Sequence, residues 1–402
     1  MSQQRIQLPV LKLKPRHDKR LRAGHAWIYS NEIDTARSPL KSFQAGQAVT
    51  VVSSGGQPVG TAVVNPQALI CARMVSQAPN ALLDEQWLSE RLQSALERRQ
   101  RFFDEPFYRW VYGDSDGLPG LVIDRFDSVL VVQANTAAMD QREEQILAVL
   151  SEILPGCSVL LRNDSRARSA EGLTEEVRVA LGDVPEWVAL RENGCDFEAP
   201  LGAGQKTGWF YDHRVNRAQL AALAKGKRVL DVFSYLGGWG VQAARAGASE
   251  VVCLDASKPA LEGVARNAAL NGLSDSVSTL HGDAFEQLKA LKADREHFDI
   301  VVLDPPAFIQ RRKDVKEGEQ AYQRLNELAL PLIQAGGLLV SASCSMHLSQ
   351  SRLIELMQGA AVKRQRRLHL VGSGGQGPDH PVHPAIPETA YLKSQTALVS
   401  PA

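Results

Sequence analysis

The sequence predicts an α/β fold for the C-terminal half of the chain, with two smaller units before it. From about residue 195, apolar strands alternate with helical segments rich in alanine and leucine, which is typical of a parallel sheet with helices on both faces. Short alternating strands separated by glycine and proline turns fill the first 76 residues. Strands and helices mix between these regions. We therefore predict domains at residues 1–76, 77–190 and 191–402.

The first two predicted domains are small. Alternating strands indicate a small β-barrel-like module at the N-terminus. In the middle domain, Asp84 is expected to cap a helix whose apolar positions continue to Phe103. Further strands and a second helix there predict a small α+β unit. The strands are expected at 47–52, 60–64, 120–124, 129–133 and 159–162, and the second helix at about 139–154.

The third domain carries the predicted parallel sheet. Each strand is a short apolar run, as expected for strands covered on both faces. The glycine-rich stretch at 372–378 is predicted to be a flexible loop. The strands are expected at 229–232, 250–254, 300–303 and 338–342.

Composition excludes several classes of protein. The 402 residues include 45 basic and 45 acidic side chains, so bulk charge indicates no polyanionic partner. The N-terminus lacks the apolar core of a signal peptide, and no apolar run approaches the length of a membrane span, so a cytoplasmic location is expected. The five cysteines include no CxxC pair, which disfavours a disulfide framework and a zinc site, and no metal is expected.

The third domain also carries a candidate cofactor site. The strand at 229–232 runs into a glycine-rich turn and a helix, at the sheet edge where ligands bind in such folds. The order Gly-Gly-Trp-Gly is not GxGxxG, and GxxxxGK[ST] is absent, which disfavours dinucleotides and nucleoside triphosphates. Asp255 is suited to ribose hydroxyls and Asp283 to an adenine amino group. Acidic residues without phosphate-binding cations suit S-adenosylmethionine rather than NAD. The predicted cofactor contacts are Asp231, Phe233, Ser234, Gly237, Asp255, Ser257, Asp283, Ala284, Asp304 and Phe210.

A candidate reactive site follows the next two strands. Asp304 and two prolines come directly after the strand at 300–303, and Cys344 follows the strand at 338–342. A carboxylate and a thiol at neighbouring strand ends would suit covalent attack on an aromatic base. The residues alone leave two other interpretations open. Asp-Pro-Pro is also a common strand-ending turn, and an isolated cysteine is often an inert core thiol.

These motifs resemble a known family. In order, VLDVFSYLGGWG, VVCLDAS, GDAF, DPPAF and SASCS are similar to the RlmI-like large-subunit ribosomal RNA methyltransferases of bacteria, which make 5-methylcytosine. GQKTGWFYDHR at 204–214 is similar to the family element GQKTGFFxDQR, and the segment 113–125 resembles its middle-domain signature. The resemblance covers almost the whole chain. It implies an N-terminal PUA domain, a central α+β domain and a Rossmann-like class I methyltransferase domain that uses S-adenosylmethionine.

The resemblance also implies a mechanism. Cys344 would add to C6 of a cytosine, and Asp304 would hydrogen-bond the base near N3. Two departures from the family pattern carry weight. Ala307 stands where the family often has lysine, and Trp209 precedes Phe210 where the family usually has two phenylalanines. Many RNA cytosine methyltransferases carry a second cysteine after this proline, so Ala307 implies a mechanism with one cysteine.

Two clusters are candidates for RNA contact. Six cations crowd residues 12–22 against a single Asp18, and aromatic residues follow. Cations that pair phosphates, together with stacking rings, suit RNA, although basic runs are also common as solvated surface. The predicted RNA contacts are Lys14, Arg16, Arg20, Trp27, Pro305, Phe308, Arg311 and Arg312.

The expected partner is large-subunit ribosomal RNA, without a membrane, and a homodimer is left open. Two other functions remain as alternatives. The chain would be a methyltransferase that acts on an exocyclic amine or a small molecule without a covalent step, or an RNA-binding module with a vestigial cofactor domain. Loss of methyl transfer on replacement of Cys344 separates the first alternative from the cytosine reaction, and S-adenosylmethionine binding tests the second.

Overall fold

The computed structural model describes residues 7–202 and 207–402. These residues form two compact units. The first holds the described residues up to Val188 together with those of Pro200–Trp209 and Pro378–Thr389, and the second holds Ala189–Ala199, Phe210–Gly377 and Ala390–Ala402. The division into three domains at residues 76 and 190 stays a prediction. None of the described helices combines the length and the apolar character that a membrane span requires.

The first unit begins with a five-stranded sheet in the order β1-β3-β4-β5-β2. The predicted strand at 47–52 is confirmed as β3, because its buried residues alternate into a shared apolar core. A short helix, α1 (Asp18–Arg22), lies between the first two strands. The strands are β1 (Val10–Lys12), β2 (Trp27–Tyr29), β3 (Gln47–Val52), β4 (Pro58–Val64) and β5 (Ile70–Ser76).

A second five-stranded sheet of the first unit has the order β10-β9-β8-β7-β6. Asp84 caps α2 as predicted, since its carboxylate accepts the backbone N–H of Trp87 at 3.0 Å. The helix ends at Gln100, so the prediction that it reaches Phe103 is wrong. The elements are α2 (Glu85–Gln100), β6 (Phe107–Tyr112), β7 (Leu121–Phe126), β8 (Val129–Ala134), α3 (Ala137–Asp140), α4 (Glu143–Ile153), β9 (Ser158–Asn163), α5 (Arg166–Glu171) and β10 (Glu176–Leu181).

The second helix predicted for the middle domain is two helices. The break lies at Gln141 and Arg142, between α3 and α4. The guanidinium of Arg142 donates to the carbonyl of Ala138, which a continuous helix would bond internally, and to the carbonyl of Leu83 in the segment before α2. Apolar spacing alone did not indicate this interruption.

The second unit is built on a seven-stranded sheet in the order β15-β14-β13-β16-β17-β19-β18. The five strands from β15 to β17 are parallel; four of them were predicted, and β15 was not. A separate two-stranded sheet, β11 (Trp187–Glu192) and β12 (Cys195–Pro200), precedes it. The elements are α6 (Arg214–Ala221), β13 (Arg228–Val232), α7 (Gly238–Arg245), β14 (Glu250–Asp255), α8 (Lys258–Leu270), β15 (Val277–His281), α9 (Ala284–Ala293), β16 (Phe298–Leu303), α10 (Val315–Ala329), β17 (Ile333–Ser343), α11 (Gln350–Lys363), β18 (Arg366–Gly374) and β19 (Lys393–Pro401).

Helices cover both faces of this sheet. On β13, Val229 joins a core with residues of α7 and α8, whereas Leu230 joins a core with residues of α10 and α11. On β16, Val302 and Leu303 divide in the same way. This alternation explains the continuous apolar runs in the sequence, since each strand is buried on both sides.

The C-terminal strands differ from the prediction. β19 runs antiparallel between β17 and β18, and neither β18 nor β19 was predicted. The expected flexible loop at 372–378 is wrong in its first part, because β18 continues to Gly374. A Cβ at Gly374 would lie 1.9 Å from Oδ1 of Asn216, so this glycine permits a close approach rather than flexibility.

Candidate functional site

The site is centred on Asp231, which is fully buried at the end of β13. Its Oδ2 accepts the backbone N–H of Gly240 at the start of α7, at 2.9 Å. Its Oδ1 is buried and has no hydrogen-bond partner among the described residues. Burial raises the pKa of Asp231 to about 7, and the nearby Asp304 carboxylate acts in the same direction. The carboxyl is therefore positioned to accept one more donor.

The turn between β13 and α7 has an uncommon backbone. Phe233 and Tyr235 have φ of 65° and 49°, and Gly237 has φ of 80°. Non-glycine residues in the left-handed region carry a conformational cost, and such residues concentrate at ligand sites. Asp255, the last residue of β14, stabilises the turn, because its carboxylate accepts the N–H groups of Tyr235 and Ser257, both at 2.9 Å.

The residues present fit the cofactor that the sequence predicts. The hydroxyl of Ser234 is buried beside Asp231, and its Oγ also lacks a partner in residues 7–202 and 207–402. Two buried polar atoms in one turn suit a ligand with hydrogen-bond donors. The ring of Phe210 contacts Tyr235 edge to face, with centroids 5.4 Å apart.

Asp283 and Ala284 lie at the start of α9. Asp283 is exposed, and its Oδ1 caps the helix by accepting the N–H groups of Phe285 and Glu286 at 3.0 and 3.2 Å. This capping explains the residue type without a ligand. A contact of Asp283 with adenine therefore stays a prediction.

Asp304, directly after β16, lies in a network of ring donors. Nε1 of Trp239 donates to its Oδ2 at 3.0 Å, and Nε2 of His213 lies 3.1 Å from its Oδ1. Burial alone would raise the pKa of Asp304, but His213 and the hydrogen bonds from His213 and Trp239 outweigh burial and hold the pKa below its usual value. Asp304 is therefore an ionised acceptor at neutral pH.

His213 is a functional candidate that sequence reasoning missed. It is buried, and its Nδ1 lies 3.0 Å from the side-chain amide nitrogen of Asn216, which also donates to the carbonyl of Gly375. An amide nitrogen can only donate, so Nδ1 accepts and the ring proton is on Nε2, facing Asp304. A signal was present in the sequence, since His213 replaces the glutamine of the family element that was quoted for the resemblance.

Cys344 and Asp304 lie at the ends of neighbouring strands, as predicted. In the parallel pair β16 and β17, Leu303 is the partner of Ser341. Asp304 comes directly after β16 and Cys344 directly after β17, so both residues lie at the carboxyl end of this strand pair. Cys344 is partly exposed, whereas Cys71, Cys157, Cys195 and Cys253 are buried.

Hydrogen bonds tie the two loops together. The backbone N–H of Ile309 donates to Oγ of Ser345 at 3.1 Å. The hydroxyl of Tyr322 lies 2.9 Å from the same oxygen and accepts from Ser343 at 2.8 Å. Ser343 and Ser345 are fully buried on either side of Cys344. The serines of SASCS thus fix the turn that carries the thiol.

Lys393 is a second functional candidate that sequence reasoning missed. It is 7% exposed, and its Nζ donates to the carbonyls of Ser345 and Tyr391 at 2.6 and 2.7 Å. Burial lowers the pKa of Lys393 to about 8, while Cys344 acts in the opposite direction. Lys393 is far from Cys344 in sequence, and the antiparallel pairing of β19 with β17 brings the two together, which no local motif indicates.

The predicted RNA contacts around the DPPAF loop differ in their exposure to solvent. Pro305 is buried, and Phe308 is half-buried, with its ring centroid 4.9 Å from that of Tyr322. Arg311 and Arg312 are exposed, and Arg311 pairs with Asp314 at 3.0 Å. Their contact with RNA stays a prediction.

The N-terminal cations are partly engaged within the protein. The guanidinium of Arg20 donates to both oxygens of Glu32 at 2.8 and 2.7 Å and to the carbonyl of Trp27 at 2.9 Å. Nζ of Lys14 donates to the carbonyl of Asn31, and Arg16 is exposed with φ of 72°. Arg20 thus has a structural role that the charge pattern did not show.

Comparisons with known proteins agree with this geometry. The family model of the PUA-like domain matches residues 11–77, and the model of S-adenosylmethionine-dependent methyltransferases matches residues 139–394. The chain is 33% identical over 394 residues to ribosomal RNA large subunit methyltransferase I of Shewanella denitrificans, covering 97% of this chain and 99% of that protein. It is 35% identical over 404 residues to a ribosomal RNA large subunit methyltransferase of Deinococcus radiodurans, covering 98% of this chain and 97% of that protein.

Solved structures share the fold. A chain from Streptococcus mutans described as a SAM-dependent methyltransferase superposes with a TM-score of 0.81 at 21% identity, covering 97% of this chain and all of that one. A methyltransferase complexed with SAH superposes with a TM-score of 0.82 at 22% identity and the same coverage. The predicted fold class and cofactor are confirmed. The chain belongs to the S-adenosylmethionine-dependent methyltransferases, in the family that includes these two ribosomal RNA large subunit methyltransferases.

Proposed function

We propose that this protein methylates C5 of a cytosine in large-subunit ribosomal RNA through a covalent adduct with Cys344. The names of relatives that match nearly the whole chain support ribosomal RNA as the substrate. The PUA-like domain at residues 11–77 supports an RNA partner. The cytosine specificity and the covalent step rest on the site and on the motifs SASCS and DPPAF.

Asp231, Ser234, Asp255 and Phe210 would hold the cofactor. The unpartnered oxygens of Asp231 and Ser234 would accept hydrogen bonds from it, and the half-buried Asp255 would accept from ribose hydroxyls. When bound, S-adenosylmethionine supplies a methyl carbon that is electrophilic because it is attached to a sulfonium. The protein must therefore make C5 of the base nucleophilic.

Cys344 provides this activation. Its thiolate forms a bond to C6, which breaks the C5–C6 double bond and leaves an electron pair on C5. C5 then takes the methyl group. Loss of the C5 proton to a base or to water reforms the double bond, and the C6–S bond breaks to release the thiolate. Covalent addition divides one difficult step into easier ones. The base must first be unstacked to reach the site.

Asp304 would bind the base while Cys344 attacks it. An ionised carboxylate accepts about four hydrogen bonds; Trp239 donates to one oxygen, and Nε2 of His213 lies 3.1 Å from the other. The remaining positions would accept from the N4 amino group and from N3–H once N3 takes a proton from solvent water as C6 is attacked; N3 returns this proton when the thiolate leaves. A proton held at N3 withdraws electrons from the ring, which favours addition at C6.

One observation carries the proposal. Asp304 and Cys344 directly follow the neighbouring parallel strands β16 and β17, and the Ile309–Ser345 hydrogen bond joins their loops. A methyltransferase that acts on an exocyclic amine needs the carboxylate but has no use for the thiol.

The test is a map of 5-methylcytosine in large-subunit ribosomal RNA. It compares cells with the gene, cells without it, and cells complemented with the wild type, Cys344→Ala or the exposed-site control Ser274→Ala. We expect one modified cytosine to disappear with the gene and to return with the wild type and Ser274→Ala only. Restoration by Cys344→Ala, or loss of a methyl group on nitrogen instead, would refute the proposal.

A further inference from the structure

The ammonium of Lys393 lies beside the turn that carries Cys344. Its Nζ is 2.6 Å from the carbonyl oxygen of Ser345, the residue that follows Cys344. The backbone of Lys393 pairs with Ser343, the residue that precedes it. Ser343 and Ser345 are the residues directly before and after Cys344 in the chain. The lysine is thus attached to both sides of one cysteine.

This cation is buried without an acidic partner among the described residues. Its two hydrogen bonds go to neutral carbonyls of Ser345 and Tyr391, and an ammonium has a third N–H to donate. Two acidic groups on adjoining segments are bound elsewhere, Asp304 by His213 and Trp239, and Asp212 by the hydroxyl of Tyr391. A buried cation with only neutral partners is costly unless an anion compensates it.

We propose that Lys393 is a positioning residue that holds Cys344 as the thiolate, and this inference rests on the proposed nucleophilic role of that cysteine. Burial lowers the pKa of Lys393 and raises that of Tyr322, and the charge of Cys344 acts to raise the pKa of both. Lys393 is the one of these two neighbours that can carry a positive charge. A cation next to a cysteine favours the thiolate, which is the reactive form.

The arrangement also explains the tail of the sequence. Tyr391 anchors the lysine through its carbonyl, while its hydroxyl is bound to Asp212. The start of β19 is therefore fixed before the chain enters the sheet. A lysine with only a structural role would donate to the same carbonyls but would not change the reactivity of the Cys344 thiol. This difference can be measured.

The test uses the alkylation rate of Cys344 by iodoacetamide in the intact protein as a function of pH. The other four cysteines are buried, so mild labelling reports on Cys344, and Cys344→Ser gives the background. The variants are Lys393→Met, Lys393→Arg and the exposed control Lys363→Met. Binding of S-adenosylmethionine, followed by calorimetry, checks that each variant is folded.

We expect Lys393→Met to alkylate about tenfold more slowly at pH 7 and to reach its maximal rate at higher pH. Lys393→Arg should restore the wild-type profile because it keeps the charge, and Lys363→Met should match the wild type. An unchanged profile in folded Lys393→Met would overturn the inference, even if methyl transfer were lost. If Lys393→Met does not fold, the wild-type protein still tests the inference. A midpoint of its alkylation rate against pH at or above that of a free cysteine would overturn the inference.

The two proposals can fail separately. If Cys344→Ala still methylates RNA, the covalent mechanism is wrong, whatever the alkylation profile shows. If Cys344 is essential but its alkylation does not respond to Lys393, only the positioning role is wrong.

Discussion

The backbone N–H of Ile309 donates to the hydroxyl of Ser345 at 3.1 Å, and this bond links the loop after β16 to the loop after β17. Ser345 is fully buried, and its Oγ also lies 2.9 Å from the hydroxyl of Tyr322. The loop with the proposed base-binding carboxylate and the loop with the proposed nucleophile are therefore one connected structure.

Replacement of Ser345 tests this connection. We expect Ser345→Ala to lower the free energy of unfolding by about 1–3 kcal/mol, because it leaves the buried N–H of Ile309 without a partner. Methyl transfer should fall more than S-adenosylmethionine binding, since the change affects the thiol loop and not the turn after β13. Ser274→Ala, at an exposed position, is the control for both measurements. Full activity in Ser345→Ala would show that the connection is not needed.

His213 is expected to set the acid limit of the reaction. In wild type, His213 offsets the rise in the Asp304 pKa that burial causes. In His213→Leu this effect is lost, so the pKa of Asp304 should rise and the acid limb of the pH–rate profile should move to higher pH. The rate at pH 6 should fall by roughly tenfold. His213→Gln keeps an N–H donor and is expected to retain most activity. Identical profiles for the leucine variant and the wild type would contradict the role of His213.

Asp231 should make the cofactor-free protein less stable as pH rises. Its pKa is about 7 in the folded state, above its usual 3.8, so the folded state keeps a proton that the unfolded state loses from about pH 4 upward. Stability therefore declines between about pH 4 and 7 and stays lower above pH 7. Asp231→Asn lacks this decline.

Urea unfolding of both proteins measures the effect. The stability of Asp231→Asn relative to wild type should increase by roughly 2–3 kcal/mol between pH 5 and pH 8. The same variant should bind S-adenosylmethionine about 10- to 100-fold more weakly, because one hydrogen-bond acceptor loses its charge. A pH-independent difference would mean that the carboxyl does not titrate in this range.

The two basic clusters should respond differently to mutation. Arg20→Ala is expected to destabilise the protein by about 1–3 kcal/mol, since it removes the guanidinium from the largely buried Glu32. Arg312→Ala, at an exposed position, should leave stability unchanged and weaken RNA binding. The slope of the logarithm of the binding constant against the logarithm of salt concentration should fall in magnitude by about one. Thermal unfolding and RNA titrations at several salt concentrations check both. Weaker RNA binding by Arg20→Ala without any loss of stability would reverse this assignment.

Much of the fold was predictable because the sequence pattern reflects burial. Gln47–Val52 and Arg228–Val232 read as strands because their apolar residues pack into cores on the faces the pattern indicates. Asp84 was predictable as a cap because the interaction lies within one helical turn. The interruption of the helix at Gln141 was not predictable, since Arg142 donates there to the carbonyl of Leu83, which lies in another segment.

The candidate site, too, could be predicted only in part from the sequence. Asp304 and Cys344 follow apolar strands, so their position at one sheet edge could be predicted from the order of the strands. His213 and Lys393 could not be assigned roles, because their partners are brought close only by the folded sheet. Phe308 was predicted as an RNA contact, but its ring packs against the rings of other aromatic residues, which local sequence does not reveal.

The most direct test of the covalent mechanism uses large-subunit ribosomal RNA that contains 5-fluorocytidine. Fluorine at C5 cannot leave as a proton does, so the C6–S bond should persist after methyl transfer. We predict a protein–RNA complex that survives denaturing electrophoresis, requires S-adenosylmethionine and maps to Cys344 by mass spectrometry. Such a complex should be absent with Cys344→Ala. A stable complex with Cys344→Ala, or efficient methylation of cytosine by the wild type without any complex on the fluorinated RNA, would contradict the account.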